Sequence, residues 1–180
     1  MKVIHYSDRQ EADFTGLYKQ AEVLVTTGDL GKADFFGLED IKDKKPAFGV
    51  YGNHDVGTYF EELGIVNLHN RVVEYGGLKW GGWQGCLKYK EGRAPMFTED
   101  EARVFADSFP YVDVLLLHAG PKGILDDDSD ELHTGSENIR RYVLENRPKI
   151  VFCGHQYSDG YLEYEEIKIY RTYGARLIEI

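Results

Sequence analysis

Cysteine is nearly missing from this chain: Cys86 and Cys153 are the only two among 180 residues. That excludes the disulfide framework that staples small secreted folds. The two lie far apart in sequence, and a chain of this length buries enough surface to do without a staple, so they predict reduced thiols and a cytoplasmic setting. Long apolar runs are missing too. No stretch approaches the ~20 apolar residues that span a bilayer. Met1-Lys2-Val3-Ile4-His5-Tyr6 enters a strand pattern at once, without the apolar core of a signal peptide, and a soluble protein is expected. Positive charge is in deficit: 21 Lys and Arg stand against 31 Asp and Glu, a net charge of −10. Binding to nucleic-acid polymer draws on phosphate neutralisation by cations, so that partner is disfavoured. The acidic run Asp126-Asp127-Asp128-Ser129-Asp130-Glu131 reads as a solvated loop. Linkers, low-complexity tracts and internal repeats are absent as well, which predicts one domain over 1–180 with no cap domain.

What is present is an α/β order. Strands are expected near 2–6, 21–26, 46–51, 112–117 and 149–153, separated by helical or loop segments. Val72-Val73-Glu74-Tyr75 and Leu78-Lys79-Trp80 flank Gly76-Gly77, the pattern of a tight hairpin. Thr98-Glu99-Asp100-Glu101 and Thr134-Gly135-Ser136-Glu137 each fit a capping box at a helix start. After Gly160 the alternation predicts a closing antiparallel hairpin and a last strand near 176–179.

The chemistry gathers where these runs end. Gly28-Asp29 and Gly52-Asn53-His54-Asp55 each follow an apolar run, and His118-Ala119-Gly120-Pro121 and Gly154-His155 follow two more. Ligands of open α/β folds bind outside the carboxyl ends of strands. Asp29 offers a carboxylate that can bridge two cations, Asn53 a neutral amide oxygen, and His54 a proton near neutral pH. A single histidine at a strand end is usually structural. Several strands that each end in a potential ligand are hard to explain that way.

Ser7-Asp8-Arg9-Gln10, Gly28-Asp29, Gly52-Asn53-His54-Asp55, His118-Ala119-Gly120-Pro121 and Gly154-His155-Gln156-Tyr157 together resemble, in order, the boxes of the calcineurin-like metallophosphoesterase family. The resemblance implies a four-layer αββα sandwich of two mixed β-sheets flanked by helices, with metals at one end. It implies Asp29, Asn53, His118 and His155 as ligands of one divalent cation, and Asp8 with the shared Asp29 as ligands of a second. It also implies metal-dependent hydrolysis of a small phosphate ester, the diester slightly preferred. Water activated by metal would attack phosphorus, and His54 would be the general acid, its ring oriented by Asp55 or Asp34. Two positions depart from the family pattern: Gln10 and Tyr157 stand where histidines are expected, both on the second metal. A glutamine oxygen can coordinate a hard cation, so Gln10 is kept as a candidate ligand, whereas tyrosine would first have to lose a proton. Manganese suits the mixed nitrogen and oxygen donors, with iron, zinc and nickel as alternatives, at one or two ions per chain. The damaged second site also motivates a rival reading, a catalytically weak or inactive protein of this fold that serves as an interaction scaffold, as a retromer subunit does.

The other candidates stand lower. Arg9 is a candidate substrate contact, because a guanidinium grips phosphate bidentately. His5 should face away from Asp8 and be structural, and His69 and His133 should be surface or packing residues, although His133 reaches the pocket if its loop folds back. Trp83 and Tyr89 read as packing aromatics. The loops 86–97 and 122–134 are the segments able to cover the pocket.

Overall fold

Val23-Leu24-Val25-Thr26, Val114-Leu115-Leu116-Leu117 and Ile150-Val151-Phe152-Cys153 are buried throughout, as parallel strands covered on both faces require. The computed structural model describes residues 1–92, 94–126, 130 and 132–180. Its first half runs β1 (Lys2–Ser7), α1 (Phe14–Gln20), β2 (Val23–Thr26), β3 (Ala47–Gly49), α2 (Tyr59–Leu63) and β4 (Val66–Asn67). There follow β5 (Val72–Tyr75), β6 (Leu78–Trp83), β7 (Cys86–Leu87), β8 (Met96–Phe97), α3 (Glu99–Ser108) and β9 (Val114–Leu117). The chain closes with α4 (Glu137–Asn146), β10 (Ile150–Cys153), β11 (Gly160–Tyr164), β12 (Ile167–Arg171) and β13 (Gly174–Glu179).

Two mixed sheets result, ordered β13-β1-β2-β3-β4 and β11-β12-β10-β9-β6-β5. Each keeps a parallel centre and takes antiparallel neighbours toward its edges, β13 on β1, β11 on β12 and β5 on β6. Strand alternation sorts the core into three sets. Val3, Val23, Val25 and Phe48 of the first sheet meet Trp80, Val114, Leu116 and Phe152 of the second. On the far side of the first sheet, Ile4, Tyr6 and Leu24 pack with Phe14 and Tyr18 of α1 and Phe60 and Leu63 of α2. On the far side of the second, Leu115, Leu117 and Val151 pack with Phe105 of α3 and Ile139 and Tyr142 of α4. The order of layers is therefore helix, sheet, sheet, helix.

Local signals act as their chemistry demands at most positions. Gly76 and Gly77 both take positive φ, 61° and 76°, between Tyr75 and its partner Leu78, as a two-residue hairpin turn of this twist requires. Thr98 caps α3 reciprocally with Glu101: Glu101 N donates to Thr98 Oγ1 at 3.2 Å, and Thr98 N to Glu101 Oε2 at 2.7 Å. The second capping box is corrected. Helix α4 starts at Ser136, whose Oγ accepts Ile139 N at 3.2 Å, and not at Thr134. Glu99 of α3 takes over the rest of the cap, accepting Ser136 Oγ at 2.9 Å and Glu137 N at 3.0 Å. Of the acidic run, Asp127, Asp128, Ser129 and Glu131 lie outside the described residues. No helix among the described residues is long and apolar enough to cross a membrane.

Candidate metal centre

Asp8, Asp29, His118 and His155 stand just past the ends of β1, β2, β9 and β10, with Asn53 and His54 in the loop after β3. Asp8, Asp29 and His155 take left-handed backbone at φ 65°, 54° and 68°, which costs about 1–3 kcal/mol at each non-glycine residue and turns the chain back across the sheet ends. Two glycines permit the resulting close approach. A Cβ on Gly52 would collide with Asp29 Oδ1, and one on Gly154 with Asp8 Oδ2.

Asp55 clasps the two loops of the first sheet together. Its buried carboxylate accepts Gly52 N at 2.6 Å, Asp29 N at 2.9 Å, Leu30 N at 3.1 Å and Tyr59 Oη at 2.8 Å. Asp29 Oδ1 in turn accepts His54 N at 2.7 Å. The expectation that Asp55 or Asp34 orients the His54 ring is corrected: the Asp55 carboxylate is taken up by backbone and Tyr59, and Asp34 by Gly31 N at 2.6 Å. Asp55 thus fixes the backbone of these two loops. His54 is exposed, at the junction of three surface cavities.

At the centre, three acceptor atoms, His155 Nδ1, Asn53 Oδ1 and Asp29 Oδ2, surround His118 Nε2. His118 Nδ1 donates to Thr27 O at 2.6 Å, which leaves a lone pair on Nε2 of the neutral ring. His155 Nε2 donates to Leu132 O at 2.8 Å, which leaves a lone pair on Nδ1. These two lone-pair atoms are 3.1 Å apart, and Asn53 Oδ1 and Asp29 Oδ2 lie 2.9 and 3.4 Å from His118 Nε2. Asn53 is turned to present that oxygen by its Nδ2, which donates to Tyr89 Oη at 3.3 Å. Asp29, His118 and His155 bring one ligand atom each to within 4.8 Å of the others. Such a set is stable only around a positive charge. Burial opposes a proton on His118, but the Asp29 and Asp8 carboxylates outweigh burial and raise its pKa to about 9. Burial, helped by His118, drives neighbouring His155 down to about 3. Two imidazoles, an amide oxygen and a carboxylate fit a divalent transition metal.

Asp8 closes the other side of this centre. Both its oxygens accept His155 N at 3.0 Å, and Ser7 Oγ donates to one of them. Burial first, and Asp29 second, raise its pKa to about 6 against the hydrogen bonds and His118. Asp8, Asp29, His54, His133, His155 and Tyr157 line a cavity of about 230 Å³.

Gln10 and Arg9 do not line it, a correction with a clear cause. The left-handed turn at Asp8, closed by Arg9 N donating to Ser7 O at 2.7 Å, sends the chain away from the site. Gln10 is left exposed, and the Arg9 guanidinium lies over the Tyr173 ring, 4.9 Å from its centroid. Of the lesser histidines, His5 is buried against Thr27 Oγ1 at 2.9 Å, and His69 packs on Trp83 at 4.7 Å between rings. Trp83 is a packing residue, against Phe97 and Phe105. His133, expected at the surface or in packing unless its loop folds back to the pocket, lines the cavity, and Tyr89, expected to pack, holds the Asn53 amide. For His133 the available signal was Asp130, a carboxylate three residues earlier; for Tyr89 there was none.

No protein of curated function matches the chain's sequence. Among solved structures the fold is similar to that of TT1561 from Thermus thermophilus, with a TM-score of 0.62 and 13% identity over 94% of this chain and 88% of that one. It is also similar to the phosphopantetheinyl hydrolase PptH of Mycobacterium tuberculosis, with a TM-score of 0.60 and 10% identity over 94% and 88% of the two chains. A third similar structure is an archaeal phosphodiesterase, with a TM-score of 0.53 and 13% identity over 95% and 82%. At such identities these likenesses speak for the fold alone. The sequence model for calcineurin-like phosphoesterases matches residues 2–159, and it is on this match that the chain belongs to that family.

Proposed function

We propose that this protein hydrolyses a small phosphate ester, a diester in preference to a monoester, with a divalent cation held by Asp29, Asn53, His118 and His155. The observation that carries the reading is the inward convergence of His118 Nε2, His155 Nδ1, Asn53 Oδ1 and Asp29 Oδ2 beside the exposed His54. When bound, the cation polarises the phosphoryl group and makes water nucleophilic near neutral pH, and manganese suits the donor set. The chain's own residues do the rest. Thr27 O and Leu132 O fix the two imidazoles in the tautomers that aim their lone pairs inward. Asp55 holds the Asn53-His54 loop against the Asp29 loop, and His54 gives a proton to the departing ester oxygen. A diester carries less negative charge than a monoester into a cavity that Asp8 and Asp29 already line, which favours it.

The test is hydrolysis of bis(4-nitrophenyl) phosphate and 4-nitrophenyl phosphate by manganese-loaded protein. Turnover of the diester should exceed that of the monoester, and His54→Ala should lower kcat by about 10²–10⁴-fold without loss of metal. Equal rates for wild type and His54→Ala on both substrates would remove the enzyme reading and favour the scaffold alternative.

A further inference from the structure

Strand alternation sets His5 and Ser7 of β1 on one face of the first sheet, and Thr27, just past the neighbouring β2, lies beside them. That face meets the second sheet, where the His5 ring packs 4.9 Å from the ring of Phe152. The three polar side chains form one hydrogen-bonded chain. Ser7 Oγ donates to Asp8 Oδ2, and Thr27 Oγ1 donates to Ser7 Oγ at 2.8 Å. Each hydroxyl has a single hydrogen, and both are thereby spent. Thr27 Oγ1 must therefore accept from His5 Nε2, 2.9 Å away, which fixes the imidazole, kept neutral by burial, with its hydrogen on Nε2. His5 Nδ1 keeps the lone pair and meets no donor among the described residues. A buried acceptor without a partner costs stability, so packing alone does not explain an imidazole at this position. The chain ends on both histidines of the metal centre. Asp8, its last acceptor, takes His155 N at 3.0 Å on each oxygen, and the main-chain oxygen of Thr27 takes His118 Nδ1 at 2.6 Å. The bare backbone of Gly154 permits that approach: a Cβ there would collide with Ser7 Oγ as well as with Asp8 Oδ2.

We propose that His5 is a positioning residue of the metal centre. Its Nε2 hydrogen turns the Thr27 hydroxyl toward Ser7, and the chain so aligned holds Asp8 against His155 while Thr27 O holds His118. The proposal rests on the reading of Asp29, Asn53, His118 and His155 as a metal site. Its tests are a tautomer and an affinity, not turnover. In nitrogen-15 NMR spectra of the metal-free chain near neutral pH, His5 should carry its hydrogen on Nε2, in slow exchange with water. Manganese affinity, read from the electron paramagnetic resonance signal of the free ion, should fall about tenfold in His5→Leu, which fills the space without a donor. His5→Gln, whose amide nitrogen reaches the place of Nε2, should recover most of that loss. Thr27→Val keeps the shape and the main-chain oxygen but removes the hydroxyl. It should lose as much as His5→Leu, and the double variant no more than either, because all three break one chain. If His5→Leu does not fold, Thr27→Val and His5→Gln carry the test. A hydrogen on Nδ1, an unaltered affinity in His5→Leu or Thr27→Val, a His5→Gln chain no tighter than His5→Leu, or losses that add would each overturn the proposal. A wild-type chain that binds no manganese would overturn the metal reading as well.

Discussion

His5 is wholly buried between the sheets, its ring 4.9 Å from that of Phe152 and its Nδ1 without a hydrogen bond from any described residue. Burial pushes its pKa down to about 3, with only the Asp159 carboxylate pulling the other way. Its unfolded value is near 6.5, so between those limits the unfolded chain binds the extra proton and stability rises with pH. The contribution is complete above about pH 6.5 and falls as pH drops toward 3, by about 1.4 kcal/mol per unit. His5→Asn should flatten the acid limb of urea-unfolding stability between about pH 6 and 4; an unchanged slope would show that other groups set it. The two thiols behave differently. Cys86 and Cys153 are free and buried, and burial pushes both up to about 12, so neither is a nucleophile near neutrality.

At the scale of elements, the joint between α3 and α4 is the least expected feature. Glu99 belongs to the first turn of α3, yet its carboxylate caps the start of α4 through Ser136 Oγ, Glu137 N and Asn138 Nδ2 at 2.9, 3.0 and 2.7 Å. Although burial opposes the charge, these hydrogen bonds hold the Glu99 carboxyl below the usual range. Glu99→Ala should therefore cost about 1–3 kcal/mol in chemical denaturation, as an orphaned cap and a lost charge-assisted bond do, and Glu99→Gln should cost less. Equal losses in the two variants would assign the effect to packing instead of charge. The loss should leave metal content unchanged, since α4 packs on the face of the second sheet opposite the first sheet.

At the scale of the molecule, the candidate centre joins the two sheets. Asp29 and Asn53 follow strands of the first sheet, while His118 and His155 follow strands of the second. A cation held by all four ties the halves of the sandwich at one end, and binding only the folded state stabilises it by mass action. At about 100 times its dissociation constant the gain is about 2.7 kcal/mol, roughly 5–10 °C in Tm for a chain of this size. Manganese should raise the Tm by that order in a concentration-dependent way, and His118→Ala should abolish the shift. A wild-type Tm indifferent to manganese would argue against the centre.

Apolar runs and the boxes that end them sufficed to locate the main strands, the helix cap at Thr98, the hairpin at Gly76-Gly77 and the family, because each is a local pattern of a few adjacent residues. Whether a side chain then enters the cavity depends on backbone direction and on bonds between residues distant in sequence, which local pattern does not carry. A left-handed turn at Asp8 carries Arg9 and Gln10 away. Bonds from His155 and Gln156, 23 residues further on, bring His133 in. Asp55 joins loops 25 and 26 residues apart and so orients the site without facing His54. The sequence by itself determined which strands end in candidate ligands. The tertiary structure decided which neighbours of those ligands share their cavity.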